Sequence, residues 1–325
     1  MIIKDFRRSK LVFWKNNYVI ATSKKKISID LEPNTAEIIK NKIIGFEINK
    51  PEDFTELKKR LNQIDEQSYK ILEEGLIASM DKPWKFFNKE AKQMPRPMSV
   101  VYSNKNFGVK QIFVLSPDSN NFEAALNANF LVSSELNKKI KGELKNEEEL
   151  LILIKEALDT VFEYVKFDLR MGVAFDNHNN GKYIYKDKQL NEQEQIKYVK
   201  ELVNTYNLIY VENPLYEGNT ETYKELSEEI RHKCFVCINS KINEYDMHVN
   251  EKSFNTVLLK FNSVSQFISD ASNFKENNLN IVAENNSNAD LIVALNIPII
   301  KLENHNTQLI RRLTNINHEL MEKNR

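Results

Sequence analysis

The sequence predicts an α/β protein: a (β/α)8-type, TIM-like barrel over residues 95–325, preceded by a small α+β domain over residues 1–94. Three observations carry this. After residue 95, continuous apolar runs recur: "KQIFVL", "YVKFDL", "LIYVE", "CFVCIN", "TVLLK", "LNIVAE" and "IPIIK". Amphipathic helical stretches separate most of them, as in a parallel sheet covered on both faces. From Glu212 onward the runs end about every twenty residues, the period of a βα unit.

The elements follow in order. Residues 1–32 read as two or three strands, "LVFWK", "YVIATS" and "KISIDL", and residues 51–92 read as helices. "PEDFTELKKRLNQID" opens with Pro51 and acidic first-turn residues, with Phe54, Leu57, Leu61 and Ile64 on one face. "KQMPRPMSV" holds two prolines within three residues and reads as a linker. In the larger part, "NEQEQIKYVKELVNTY" places Ile196, Val199, Leu202 and Val203 on one helical face, and "NTETYKELSEEI" begins with N-cap candidates.

Composition excludes some partners. Lys+Arg and Asp+Glu both number 46, so the chain lacks the basic surplus that nucleic acid or an anionic membrane requires. The longest apolar stretches, "ELLILIKE" and "LIVALNIPII", are too short to span a bilayer, and the N-terminus interrupts its apolar residues with charge. Cys234 and Cys237 form a lone C-x-x-C inside a strand-like run, where odd spacing turns the thiols to opposite faces. They read as buried strand cysteines of a cytoplasmic protein. His178, His232, His248, His305 and His318 show no i,i+3 or i,i+4 pairing and read as surface or capping residues. Glycine, at seven residues, is about a third of its usual frequency, and no phosphate-binding glycine loop is present.

Five polar residues stand where the predicted strands stop: Asp168, Glu212, Asn239, Lys260 and Lys301. The C-terminal strand ends of a barrel converge on one mouth, where active sites are built. Two carboxylates and an amide oxygen are hard ligands suited to Mg2+. Two lysines opposite them supply a base and a charge clamp, the requirements for removing a proton alpha to a carboxylate. Each residue also has a structural reading, because polar residues commonly close strands. The lysines would then pair internally with Asp168 and Glu212.

At these residues the sequence resembles enolase, phosphopyruvate hydratase. "NLIYVENPLYEG" looks like the segment carrying the family's S-I-E-D-P-F motif, with Glu212-Asn213-Pro214 in place of E-D-P. "VLLKFNSV" is similar to L-L-L-K-V-N-Q-I, "NADLIVAL" to I-A-D-L-A-V-A-L, "IIK" to Q-I-K-T-G, "NHELMEK" to the late helix ending in I-E-E-E-L, and "MPRPMSVV" to L-P-V-P-M-M-N-V. The likeness is continuous over about 165–320, patchy over 95–165 and faint before that. It implies that Asp168 and Glu212 fall on two of three Mg2+ ligands, with Asn239 replacing the third. It also implies that Lys260 falls on the general base and Lys301 on the lysine that holds the substrate carboxylate.

Several family parts have no counterpart. The S-G-A-S-T lid loop is missing between Ile29 and Ile48, as is the G-D-E-G-G-F-A-P segment that carries the general acid. "AENNSN" stands for the phosphate-gripping S-H-R-S-G-E, with Asn285 in the arginine's place, and Gln111 stands where a site glutamate is expected. General acid–base assistance is worth roughly 10²–10⁴ in rate. The expectation is therefore an enolase-like protein, a pseudoenzyme without efficient 2-phosphoglycerate dehydration, with a weak Mg2+ site at most. It would be retained for binding, assembly or regulation, as a homodimer or with a protein partner. The alternative is a metal-dependent lyase of enolase type, minimal or altered in specificity, that uses Lys260 as base.

Overall fold

A computed structural model describes residues 1–9, 17–119, 121–216, 218–239, 251–303 and 306–322. The strand expected at "LVFWK", together with His248 and His305, lies outside the described residues. The chain divides into two compact units. The first is Met1–Gln93 with Lys260–Asn273 and Asn286–Asn296; the second is Met94–Leu259 with Phe274–Asn285 and Ile297–Arg325.

In the first unit, β1 (Ile3–Arg8), β2 (Asn17–Thr22) and β3 (Lys26–Asp30) form an antiparallel sheet in that order. Alternate residues of β2 (Tyr18, Ile20 and Thr22) are buried, the period-2 signature of a sheet with one covered face. Helices α1 (Pro33–Ile43), α2 (Asp53–Arg60), α3 (Glu66–Ala78) and α4 (Pro83–Phe87) follow. The Asp65 side chain accepts from the Ser68 amide at 2.9 Å and starts α3. Gly75 lets α3 approach β3, since a Cβ there would meet Ile29 Cγ2 at 2.8 Å.

The second unit contains a closed barrel of eight strands. These are β4 (Arg96–Ser103), β5 (Val109–Leu115), β6 (Arg170–Phe175), β10 (Tyr210–Glu212), β11 (Phe235–Ile238), β12 (Thr256–Leu259), β13 (Asn280–Ala283) and β14 (Ile299–Leu302). Three short strands, β7 (His178–Asn179), β8 (Lys182–Ile184) and β9 (Gln189–Leu190), form a separate small sheet. The helices of this unit are α5 (Phe122–Lys139), α6 (Glu147–Val165), α7 (Glu192–Tyr206), α8 (Thr220–Ile230) and α11 (Thr307–Glu322), whereas α9 (Val264–Glu276) begins in the segments of the first unit and α10 (Ala289–Ala294) lies in them. No described helix is long and apolar enough to cross a membrane.

The barrel is mixed, not uniformly parallel. β5 runs antiparallel to both β4 and β6, because a short connection joins β4 to β5 while α5 and α6 both precede β6. Two elements begin elsewhere than the sequence suggests. β4 starts inside the proline-rich "KQMPRPMSV", two residues after the expected linker residue Met94. "YVKFDL" is no strand: Asn146 caps α6, which runs through Val165 and closes on Lys166 at φ 59°. The alternation Val165-Phe167-Leu169 imitates a strand at the exit of a left-handed helix cap.

Candidate active site

Glu212 ends β10 at the C-terminal mouth of the barrel, level with Ala174 on β6 and Cys237 on β11. Two positions earlier on the same face, Tyr210 fills the interior. Gly172 makes the room, because a Cβ there would stand 2.9 Å from the Tyr210 Cβ. Lys301 lies within β14, one residue before its end, and is buried with 6% of its surface exposed.

These side chains form one cluster. Lys301 Nζ donates to Glu212 Oε1 at 3.2 Å and Oε2 at 3.1 Å, and sits 4.8 Å from the Phe113 ring centroid. The Tyr210 hydroxyl donates to Glu212 Oε2 at 2.8 Å, and Asn239 Nδ2 donates to Oε1 at 3.2 Å. Burial, then the neighbouring Cys237 and Glu212, push the Tyr210 phenol well above its ordinary value. Tyr210 therefore stays a neutral donor. The buried carboxylate is met by one cation and two further donors, the condition under which a buried ion pair holds.

The backbone turn after Glu212 positions Asn239. Asn213 takes a left-handed φ of 48°, which asparagine tolerates better than most residues. There its amide donates to the Cys237 carbonyl at 2.9 Å, and its Oδ1 accepts from the Asn239 amide at 2.8 Å. Asn239 Oδ1 is left buried without a hydrogen-bond partner.

Glu212, Asn239 and Lys301 thus come together, and Asp168 does not join them. It precedes β6, six residues before Ala174, which puts it roughly 20 Å away at the other end of the strand. Its carboxylate pairs with Arg170 Nε at 2.6 Å, each side chain about a third exposed. The displacement follows from the boundary of α6: ending the helix at Val165 moves the whole strand later in the chain. Lys260 is the residue after β12, and it is exposed. Gln111 lies on β5 level with Ala174. Asn285 is used internally, its Oδ1 accepting from the Glu303 amide at 3.1 Å and its carbonyl from Asn306 Nδ2 at 2.6 Å. Both cysteines are free and buried.

Sequence pattern alone does not mark Tyr210 and Phe113 as site residues. The one signal for Tyr210 is its i,i+2 spacing to Glu212, which puts both on one strand face. Nothing in the sequence pairs Phe113 with Lys301.

Residues 137–298 match the family model described as enolase, C-terminal TIM barrel domain. The chain belongs to the enolase family. It is 27% identical over 275 residues to an enolase of Archaeoglobus fulgidus, covering 72% of this chain and 68% of that protein. An enolase of Methanocorpusculum labreanum is 30% identical over 129 residues, 36% of this chain and 32% of that protein. An enolase of Methanothermobacter thermautotrophicus reaches 40% identity over 58 residues, 17% of this chain and 14% of that protein.

The magnesium ion associated with enolases requires several oxygen ligands in near-octahedral array. Here Glu212 presents both oxygens to Lys301, Tyr210 and Asn239, and its neighbour level on β6 is Ala174. Among the described residues no three His, Cys, Asp or Glu converge as a metal site. One carboxylate already met by Lys301 and the orphan Asn239 oxygen do not make a magnesium cage, so the described residues do not fit the ion.

Proposed function

We propose that this enolase-family chain does not dehydrate 2-phosphoglycerate efficiently and acts through binding, as a dimer or with a protein partner, in the cytoplasm. The observation that carries this reading is the buried pair Lys301–Glu212. Catalysis of the enolase type needs the carboxylate on a metal and the ammonium on a substrate acid, and in this arrangement each occupies the other. The absent general-acid and phosphate-gripping loops point the same way. A cavity of about 170 Å³ beside Asn213, lined by Asp176, Asn177, His178 and Tyr216 among others, supports a binding role at the mouth.

One observation favours the lyase reading: Lys260 is exposed directly after β12 and forms no ion pair among the described residues, so a base remains available. A direct assay of 2-phosphoglycerate dehydration with Mg2+ separates the two, run beside sedimentation of the purified chain and a melting curve with and without Mg2+. The binding reading expects no turnover, no Mg2+-dependent rise in Tm and a sedimentation mass above the monomer. Turnover at ordinary enzyme rates, about 1–10³ per second, abolished by Lys260→Ala, would overturn it.

A further inference from the structure

Within the first unit, two helices converge on the residues that follow Lys260. From α2, Lys58 Nζ donates to Ser263 Oγ at 3.4 Å. From α3, Lys70 Nζ donates to the Phe261 carbonyl at 3.2 Å and lies 5.2 Å from that residue's ring centroid. Also from α3, Glu73 Oε2 accepts the Val264 N–H at 2.8 Å. Val264 is the first residue of α9, and the Ser263 hydroxyl accepts from the Gln266 amide at 3.3 Å as its N-cap. The first amides of a helix have no partner within the helix, and here a side chain from another helix supplies one.

Glu73 is an unusual choice for that task. It is fully buried, and its second oxygen, Oε1, has no hydrogen-bond partner. Tyr69, one turn earlier on α3, donates its hydroxyl to the Phe54 carbonyl at 2.8 Å. A helix N-terminus favours an anion, but a buried carboxylate with an unsatisfied oxygen is costly. The two tendencies oppose each other on one group. Burial wins, pushing the acid up to about 7 against the smaller pull of the Val264 amide, Tyr69 and Lys58. The charged and titratable groups facing it are Tyr69 and Glu74 from α3 and Lys58 from α2, and Ser263 and Val264 meet it from the α9 side uncharged.

We propose that Glu73 is a proton-operated latch on residues 260–264, closed when its carboxyl is neutral and loosened when it ionises. In the neutral form the carbonyl oxygen holds the Val264 N–H at little electrostatic cost. Loss of the proton places a charge where the Val264 N–H, Tyr69 and Lys58 together do not offset burial, so opening of the segment becomes the cheaper way to hydrate the carboxylate. The segment that follows Lys260 is thus held by a helix of the N-terminal region, and its hold responds to pH near neutrality.

The test is hydrogen exchange of the peptide 257–267 at pH 6 and pH 8.5, corrected for intrinsic rates, in the full chain and in Glu73→Gln. The wild type is expected to lose protection there on the order of tenfold at the higher pH, while Glu73→Gln keeps equal protection at both. The same pH dependence in both proteins overturns the latch. Should Glu73→Gln fail to fold, the wild type decides against its own α5 peptide, 122–139. Loosening confined to 257–267 supports the latch, and unchanged protection, or equal loss in both peptides, overturns it. No substrate enters the experiment, so its outcome is separate from that of the dehydration assay.

Discussion

Glu212 and Glu73 are both removed from water, 4% and 0% exposed, yet their surroundings differ in kind. Glu212 meets an ammonium, a phenol and an amide, with donors on both oxygens. Glu73 meets one backbone N–H, and its other oxygen meets none. Depth alone therefore does not decide how well a buried acid is satisfied. The number and charge of its partners does. The barrel glutamate is held by a cation and two further donors, whereas the helical one is left to balance a helix N-terminus against burial.

The sharpest way to break this contrast is to remove the cation. Lys301→Met strands Glu212 in the barrel, and loss of one partner of a buried pair costs about 3–5 kcal/mol. Urea unfolding should register that loss, and adding Glu212→Leu in the same chain should recover much of it. A single variant as stable as the wild type would mean that Glu212 finds water, and the distinction between the two sites would fall.

Next in size is the titration of Glu73. Its folded value, about 7, lies above the ordinary 4.5, so the stabilisation is complete below pH 4.5 and is lost as pH rises through 7. At 1.36 kcal/mol per unit the loss approaches about 3 kcal/mol in alkaline solution. Glu73→Gln should therefore melt higher than the wild type at pH 8.5 and close to it at pH 5. A Tm difference independent of pH would place Glu73 beside Glu212 as a plain structural group.

Tyr210→Phe removes one of three donors to Glu212 while keeping the ring against Phe113, with centroids 5.6 Å apart. A hydrogen bond to a charged group is worth about 1.5–3 kcal/mol, and a loss at the lower end is expected in chemical denaturation, since Lys301 and Asn239 remain. The smallest effect belongs to Asp168→Asn. Its pair with Arg170 is about a third exposed, and such pairs contribute about 1 kcal/mol or less. A cost above 2 kcal/mol would show that the opposite end of the barrel carries more electrostatic weight than its exposure indicates.

The sequence made the strand ends carrying Glu212, Asn239 and Lys260 legible because each follows an unbroken apolar run bounded by turn residues. It misplaced Asp168 because the last turn of α6 and the exit from its cap alternate like a strand, and α6 is long enough to hide where β6 starts. The antiparallel β5 escaped for a related reason. A buried antiparallel strand and a buried parallel one are both continuous apolar runs, and only the missing crossover between residues 103 and 109 separates them. Glu73 could not be read at all. On its helix it is one glutamate beside another, Glu74, and which of the two is buried depends on what packs against α3.

By itself, then, the sequence determined the barrel, its kinship with enolases and the polar residues that stop its strands, because these are written in local apolar periodicity and in motifs along the chain. Tertiary structure alone decided the distant partners: that Lys301 takes Glu212 and that Glu73 reaches a helix start 191 residues later. Pairing of charges is fixed by distance in space and by what excludes water around them, and neither quantity is carried by spacing along the chain.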